Sequence, residues 1–100
     1  MRMLLKANMD TEAANIGAKD GKLAEFSKNL AEGLKAEAAY FAVEDGRRSC
    51  FVVFDMVDSS QIPAICEPLF LGANAKITLT PCMSLEDLTA GLAQMPPMPA

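Results

Sequence analysis

The chain has no histidine and no tryptophan among its 100 residues. Histidine is the one side chain whose unperturbed charge change falls near neutral pH. Its absence removes histidine-based general acid–base chemistry, a histidine haem ligand and most zinc-enzyme sites. Long apolar runs are missing too. No stretch approaches the roughly 18 apolar residues of a membrane span, and the N-terminal MRMLLKANMD holds no apolar run long enough for a secretory signal. Positive charge is scarce: 9 Lys and Arg against 13 Asp and Glu leave a net charge of −4. That balance disfavours nucleic acid as a partner, because such binding rests on neutralising phosphates, and no basic stripe with interleaved aromatics occurs. The three cysteines are Cys50, Cys66 and Cys82. An odd, widely spaced set without a signal reads as reduced thiols of a cytoplasmic protein. Neither Cys66 nor Cys82 has a His or Cys at metal-ligand spacing. No glycine-rich phosphate loop, nucleophile elbow or internal repeat stands out. Neither a metal nor a cofactor is expected.

What is present is a chain 51% hydrophobic and 22% charged, the balance of one globular domain rather than a disordered segment. Its most apolar and best-punctuated stretch is residues 39–58, AYFAVEDGRRSCFVVFDMVD. Asp45-Gly46 is the dipeptide favoured in two-residue hairpin loops, where both residues need positive φ. With that loop, Glu44 faces Arg47, Val43 faces Arg48, Ala42 faces Ser49, Phe41 faces Cys50, Tyr40 faces Phe51 and Ala39 faces Val52. Alternation with a period of two then gives one face of Ala39, Phe41, Val43, Cys50, Val52, Phe54 and Met56, apolar enough for a helix-covered core. The other face carries Tyr40, Ala42, Ser49, Phe51, Val53, Asp55 and Val57, with Glu44 and Arg47 at the tip. An antiparallel sheet with one wet side is more polar than that. Phe51, Val53 and Val57 argue that the second face is covered as well, by a partner sheet or around a ligand cavity.

The rest of the chain surrounds this hairpin. Residues 1–9 alternate as a first strand, with Leu4 the one apolar exception on its polar face. Asp10 or Thr11 is the expected N-cap of a short helical turn ending at Gly17. Leu23, Phe26, Leu30 and Leu34 form one stripe of a main helix over about 20–36. After the hairpin, Ser60 is the expected cap of a second helix with Pro63 in its first turn. Pro68 is expected to break it, leaving a short turn that ends at Gly72. Residues 75–80 form a fourth strand, with Pro81 ending its pairing or marking it as an edge. Ser84 caps a last helix from 85 to about 95. The predicted order is β-α-β-β-α-β plus a terminal helix, an α+β sandwich on the ferredoxin-like split plan. Its antiparallel sheet should have strand order 4-1-3-2, with the helices on one face. Residues 1–95 make the single domain and residues 96–100 a disordered tail. The bare second face predicts a homodimer formed through the sheets.

The stretches NIGAKDGKL, EAAYF, DGRR, FDMVDSSQIPAICEPLF, NAKITLTP and SLEDL resemble an uncharacterised bacterial family of chains of about this length. That family is similar in turn to the dimeric α+β barrel superfamily. The resemblance implies a ferredoxin-like dimer. The superfamily includes monooxygenases, isomerases and haem-degrading enzymes, several of which use a histidine that this chain lacks, so no mechanistic residue carries over.

Candidate chemistry concentrates on the second sheet face. Asp55, between Val53 and Val57, is the candidate general base, because a carboxylate among apolar neighbours has a raised pKa. The alternative is an ion pair with Lys6, Arg47 or Arg48. Tyr40 is its candidate catalytic partner, or a residue of core or interface. Lys6, Asn8 and Thr78 are candidate ligand contacts on the neighbouring strands. Glu67, beside the expected helix break, either reaches a cleft or stabilises a helix N-terminus. Asn15, Lys19 and Asp20 precede the main helix, and Lys19 with Arg48 is a candidate anion site, although Asp20 also reads as an N-cap. Cys50 and the seven methionines read as packing. Two functions follow: a small-molecule site in a sheet-side cavity, or a non-catalytic dimeric module whose mixed face is only the subunit interface.

Overall fold

Both residues of the hairpin loop take positive φ, 55° at Asp45 and 72° at Gly46, which matches the loop to the twist of its strands. The structure, a computed structural model, describes residues 1–99. Strands β2 (Ala38–Glu44) and β3 (Arg47–Asp55) pair antiparallel from Glu44 opposite Arg47 to Ala39 opposite Val52, the expected register throughout. Strand β1 (Arg2–Asn8) lies beside β3, and β4 (Lys76–Pro81) lies on the far side of β1. The sheet is therefore β2-β3-β1-β4, which is the expected order read from the other edge. Pro81 closes an edge strand, where its missing N–H does least harm.

Two helices, not a turn and a helix, make the first crossover. Asp10 caps α1 (Thr11–Asp20), its Oδ2 accepting the Ala13 N–H at 2.9 Å. The helix passes through Gly17, correcting the expected end there. A Cβ at Gly17 would stand 3.5 Å from the Leu23 backbone nitrogen, an ordinary contact, so α1 packs beside α2 (Lys22–Gly33) without needing a glycine there. The stop is Gly21, whose φ of 82° belongs to the left-handed region. The stripe of Leu23, Phe26, Leu30 and Leu34 faces the core, but each residue is only partly buried.

The second crossover corrects two further expectations. Asp58, not Ser60, is the cap: its Oδ2 accepts the Ser60 N–H at 3.0 Å, while Gln61 Oε1 accepts the N–H of Asp58 at 3.2 Å and of Val57 at 2.8 Å. This box opens a single 3-10 turn, Ser59–Gln61, leading into α3 (Ile62–Ala73). Pro68 does not break α3, which ends at Asn74 with a φ of 46° rather than at Gly72. The buried residues Ile65, Cys66, Leu69 and Ala73 form one stripe on both sides of Pro68. Packing along that stripe outweighs the one helical hydrogen bond that a proline cannot give.

The core fills the space between one sheet face and these helices. Met3, Leu5, Ala7, Cys50, Val52 and Phe54 meet Ala14, Ile65, Cys66 and Leu69 there. The cover stops short of β2. Phe41 and Val43, expected in the core, are exposed, because the helices sit over the centre of the sheet and not over that edge. Helix α4 (Leu85–Ala93) follows β4 and is capped by Ser84, which exchanges hydrogen bonds with Asp87 at 3.1 Å each way. None of its residues is buried. Residues 94–99 are exposed, and residue 100 of the expected tail lies outside the described residues. Among the described residues no helix is long and apolar enough to cross a membrane.

Candidate functional site

The open sheet face carries a connected polar cluster at its hairpin end. Lys6 Nζ lies 2.7 Å from Glu44 Oε1. Asn8 Nδ2 donates to the same oxygen at 3.2 Å and to Ser49 Oγ at 2.7 Å, and Ser49 Oγ donates to the Arg47 carbonyl at 3.0 Å. Asn8 and Ser49 are buried by these neighbours. Glu44 reaches them from β2 across β3, on the face where Ser49 lies opposite Asn8. Hydrogen bonds from Lys6 and then Asn8, with Lys76 nearby, hold its carboxyl below the usual range. Glu44 was missed as a site residue in the sequence. Its membership of the same face as Lys6 and Asn8, by strand parity, was the available signal.

The structure therefore brings Lys6 and Asn8 together, and Thr78 lies opposite Lys6 on β4 with its side chain exposed. The other candidates stand apart. Tyr40 is opposite Phe51 as expected but is 71% exposed. Asp55 ends β3, and its side chain is 73% exposed, not enclosed by valines. Its partner is the α-amino group of Met1, at 2.7 Å from Oδ1, and not Lys6, Arg47 or Arg48. Glu67 sits exposed in the middle of the continuous α3, so the expected break that gave it a role is absent. Arg48 Nη1 donates to Asn15 Oδ1 at 3.1 Å and to the Thr11 carbonyl at 3.4 Å, tying the hairpin to α1. Asp20 Oδ1 accepts the Lys22 N–H at 3.0 Å across the α1–α2 junction, and Lys19 is exposed. Cys50 and Cys66 are buried, and that burial pushes both thiols up, with Glu67 adding to the effect at Cys66.

The larger concavity lies on the opposite side of the sheet. Between α2, α3 and the end of β3 opens a cleft of about 700 Å³. Phe26, Leu30, Phe54, Ile65 and Leu69 line it, with Asn29, Lys35, Asp55 and Gln61 supplying its polar groups. A second, of about 360 Å³, lies between α1 and α2 beside Ala73. The main cleft exists because the α2 stripe is only half-buried: α2 stands off from α3 and does not close on it. Pro68 and Ala64 also line it, and Pro68 has no N–H to offer the Ala64 carbonyl. The Gln61 side-chain oxygen accepts the N–H groups of Val57 and Asp58 at the cap of the 3-10 turn, which leaves its NH2 to face the cleft.

Three carboxylates sit below their usual range in the fold. For Glu44 the cause is Lys6. For Asp58 it is the Ser60 hydroxyl and N–H, and for Asp87 the Ser84 N–H and hydroxyl. A depressed folded pKa contributes stability that is full above the unfolded value and lost as pH falls through the folded one. The urea midpoint is expected to be flat from about pH 7 to about pH 5 and to fall below about pH 4. The effect is modest, because all three groups face water, and Glu44→Gln should flatten part of the acid limb.

These features define a small α+β domain: one four-stranded antiparallel sheet, helices over one face, a cleft among those helices and a bare second face. The chain belongs to a family described as a domain of unknown function (DUF3303), whose sequence profile matches residues 1–96. No curated protein matches the chain.

Proposed function

We propose that this domain binds a small apolar molecule bearing an anionic or carbonyl group, in the cleft between α2 and α3, and that it does so as a homodimer joined through the open sheet face. The cleft carries the reading. Its volume of about 700 Å³ lies in the range of small-molecule sites, and an apolar lining with a few polar groups is their usual make-up. Lys35 lines it and forms no ion pair among the described residues, so its ammonium is free for an anion. The sheet-side polar groups favour an interface over a ligand wall, because Lys6, Asn8, Glu44 and Ser49 already satisfy one another. Leu4, Phe51 and Val53, half-buried along the same face, supply an apolar surface for a second copy to cover.

The test uses anilinonaphthalene sulfonate, an apolar aromatic anion whose emission rises on burial. Gly33 lines the cleft, and a Cβ there meets nothing within 4 Å. Gly33→Leu therefore puts a side chain into the cleft mouth from the last residue of α2. Bound-probe fluorescence is expected to fall about tenfold in Gly33→Leu and severalfold in Lys35→Gln, with unchanged far-ultraviolet circular dichroism. Equal binding by Gly33→Leu and the unaltered chain would overturn the assignment of the cleft.

A further inference from the structure

Helix α4 is capped at its N-terminus and amphipathic, yet none of its residues is buried. Leu85, Leu88 and Leu92 fall at i, i+3 and i+7, one helical stripe, with Met95 just past the helix end, and the four are 41–78% exposed. A nine-residue helix is too short to hold its shape in water without a surface to pack on. That surface is not its own sheet. Arg2 bridges Glu37 at 2.9 Å and Asp87 at 3.0 Å, which ties the first turn of α4 to β1, and no residue further along the helix is buried. The radius of gyration is 16.4 Å and the long axis 58 Å, whereas a compact chain of this length has a radius near 13 Å.

We infer that α4 is an arm that packs its leucine stripe on the open sheet face of a second copy of this chain. The inference rests on the dimer reading above and specifies what covers the face. Charge supports this occupant. Glu86 and Asp87 are the only ionisable side chains of α4, and Asp87 is held by Arg2. The open face carries Arg2, Lys6, Arg47 and Lys76; Arg2 and Lys6 are tied to carboxylates of their own chain, and Arg47 and Lys76 form no ion pair among the described residues. Of these two, Lys76 stands on β4, the strand that leads into α4, and is assigned to the Glu86 of an arriving arm. Area supports it as well. Four strands of about seven residues give a flat footprint of roughly 20 Å by 23 Å, well short of the roughly 800 Å² that each partner of a stable complex buries. Side-chain relief raises the accessible area above that footprint, and one arm given with one arm received supplies the remainder. A two-fold axis lets both copies satisfy both surfaces at once.

The test is sedimentation equilibrium of the full chain and of the Leu88→Asp/Leu92→Asp double variant, with thermal melts of both. Neither leucine is buried, so the double change leaves the core alone. The full chain is expected to be a dimer, and the variant to dissociate about tenfold or more readily. Lys76→Glu should weaken the dimer in the same way, and Glu86→Lys in that background should restore it. A dimer of unchanged strength in the double variant would overturn the arm while leaving the dimer standing. So would a lower melting temperature with unchanged dimerisation, which would seat α4 on its own sheet. A full chain that stays monomeric would overturn both readings.

Discussion

Leu5→Ala is expected to lower the unfolding free energy by about 2–5 kcal/mol, the range for removing a buried leucine from a core that cannot close over the gap. Leu5 has no exposed surface. It lies on the central strand with Val52 opposite on β3 and Leu79 opposite on β4, so the sheet holds its neighbours in place and the void persists. A domain of this size has only about 5–15 kcal/mol in total, and the variant should unfold at a far lower urea concentration. Leu71→Ala is the control. That leucine is 84% exposed on α3, and its loss should stay within about 0.5 kcal/mol. Both need the same protein concentration, because association adds to apparent stability. A Leu5→Ala midpoint equal to that of the control would place the core elsewhere.

Pro68→Ala works in the opposite direction. Proline in a helix interior is about 3 kcal/mol less favourable than alanine, since it removes an N–H and its ring crowds the preceding turn. Alanine restores a donor for the Ala64 carbonyl. The expected gain is about 1–3 kcal/mol, read as a higher urea midpoint with an unchanged slope. A lower midpoint would mean that α3 needs the ring for its packing. Both residues line the cleft, so probe binding by the stabilised variant asks whether the proline is kept for the shape of the site at the expense of the helix.

The hairpin was legible in full because two independent signals agree there. Asp45-Gly46 sets the loop, and a period of two sets the faces. From those, each pairing follows by counting, and the sheet order follows from the sequence of elements. Glycine and proline were less legible because one residue type serves two purposes. Gly17 and Gly21 look alike in a sequence, yet α1 runs straight through the first, where a Cβ would fit, and the second turns the chain through positive φ. Pro68 carries the local signal of a break, while the stripe of Ile65, Leu69 and Ala73 that overrides it is a tertiary fact.

The candidate site was legible only in part for a related reason. Strand parity puts Lys6, Asn8 and Asp55 on one face, but does not say that Asp55 stands at the strand's end in water. Periodicity likewise shows which side of α2 turns inward, not how far α2 stands from α3, and the cleft is that distance. The exposed Phe41 and Val43 have the same origin: alternation assigns a face, and the lateral reach of the helices decides whether it is covered.

The solitary Tyr40 has one more consequence. With no tryptophan and one tyrosine, the protein's intrinsic fluorescence comes essentially from one ring, and that ring stands on the open sheet face. The molecule carries its own optical gauge at the surface in question. Whatever settles there, a second copy or an arm, changes the polarity and quencher access of that single chromophore, and the event can be followed by its light alone, with no label attached.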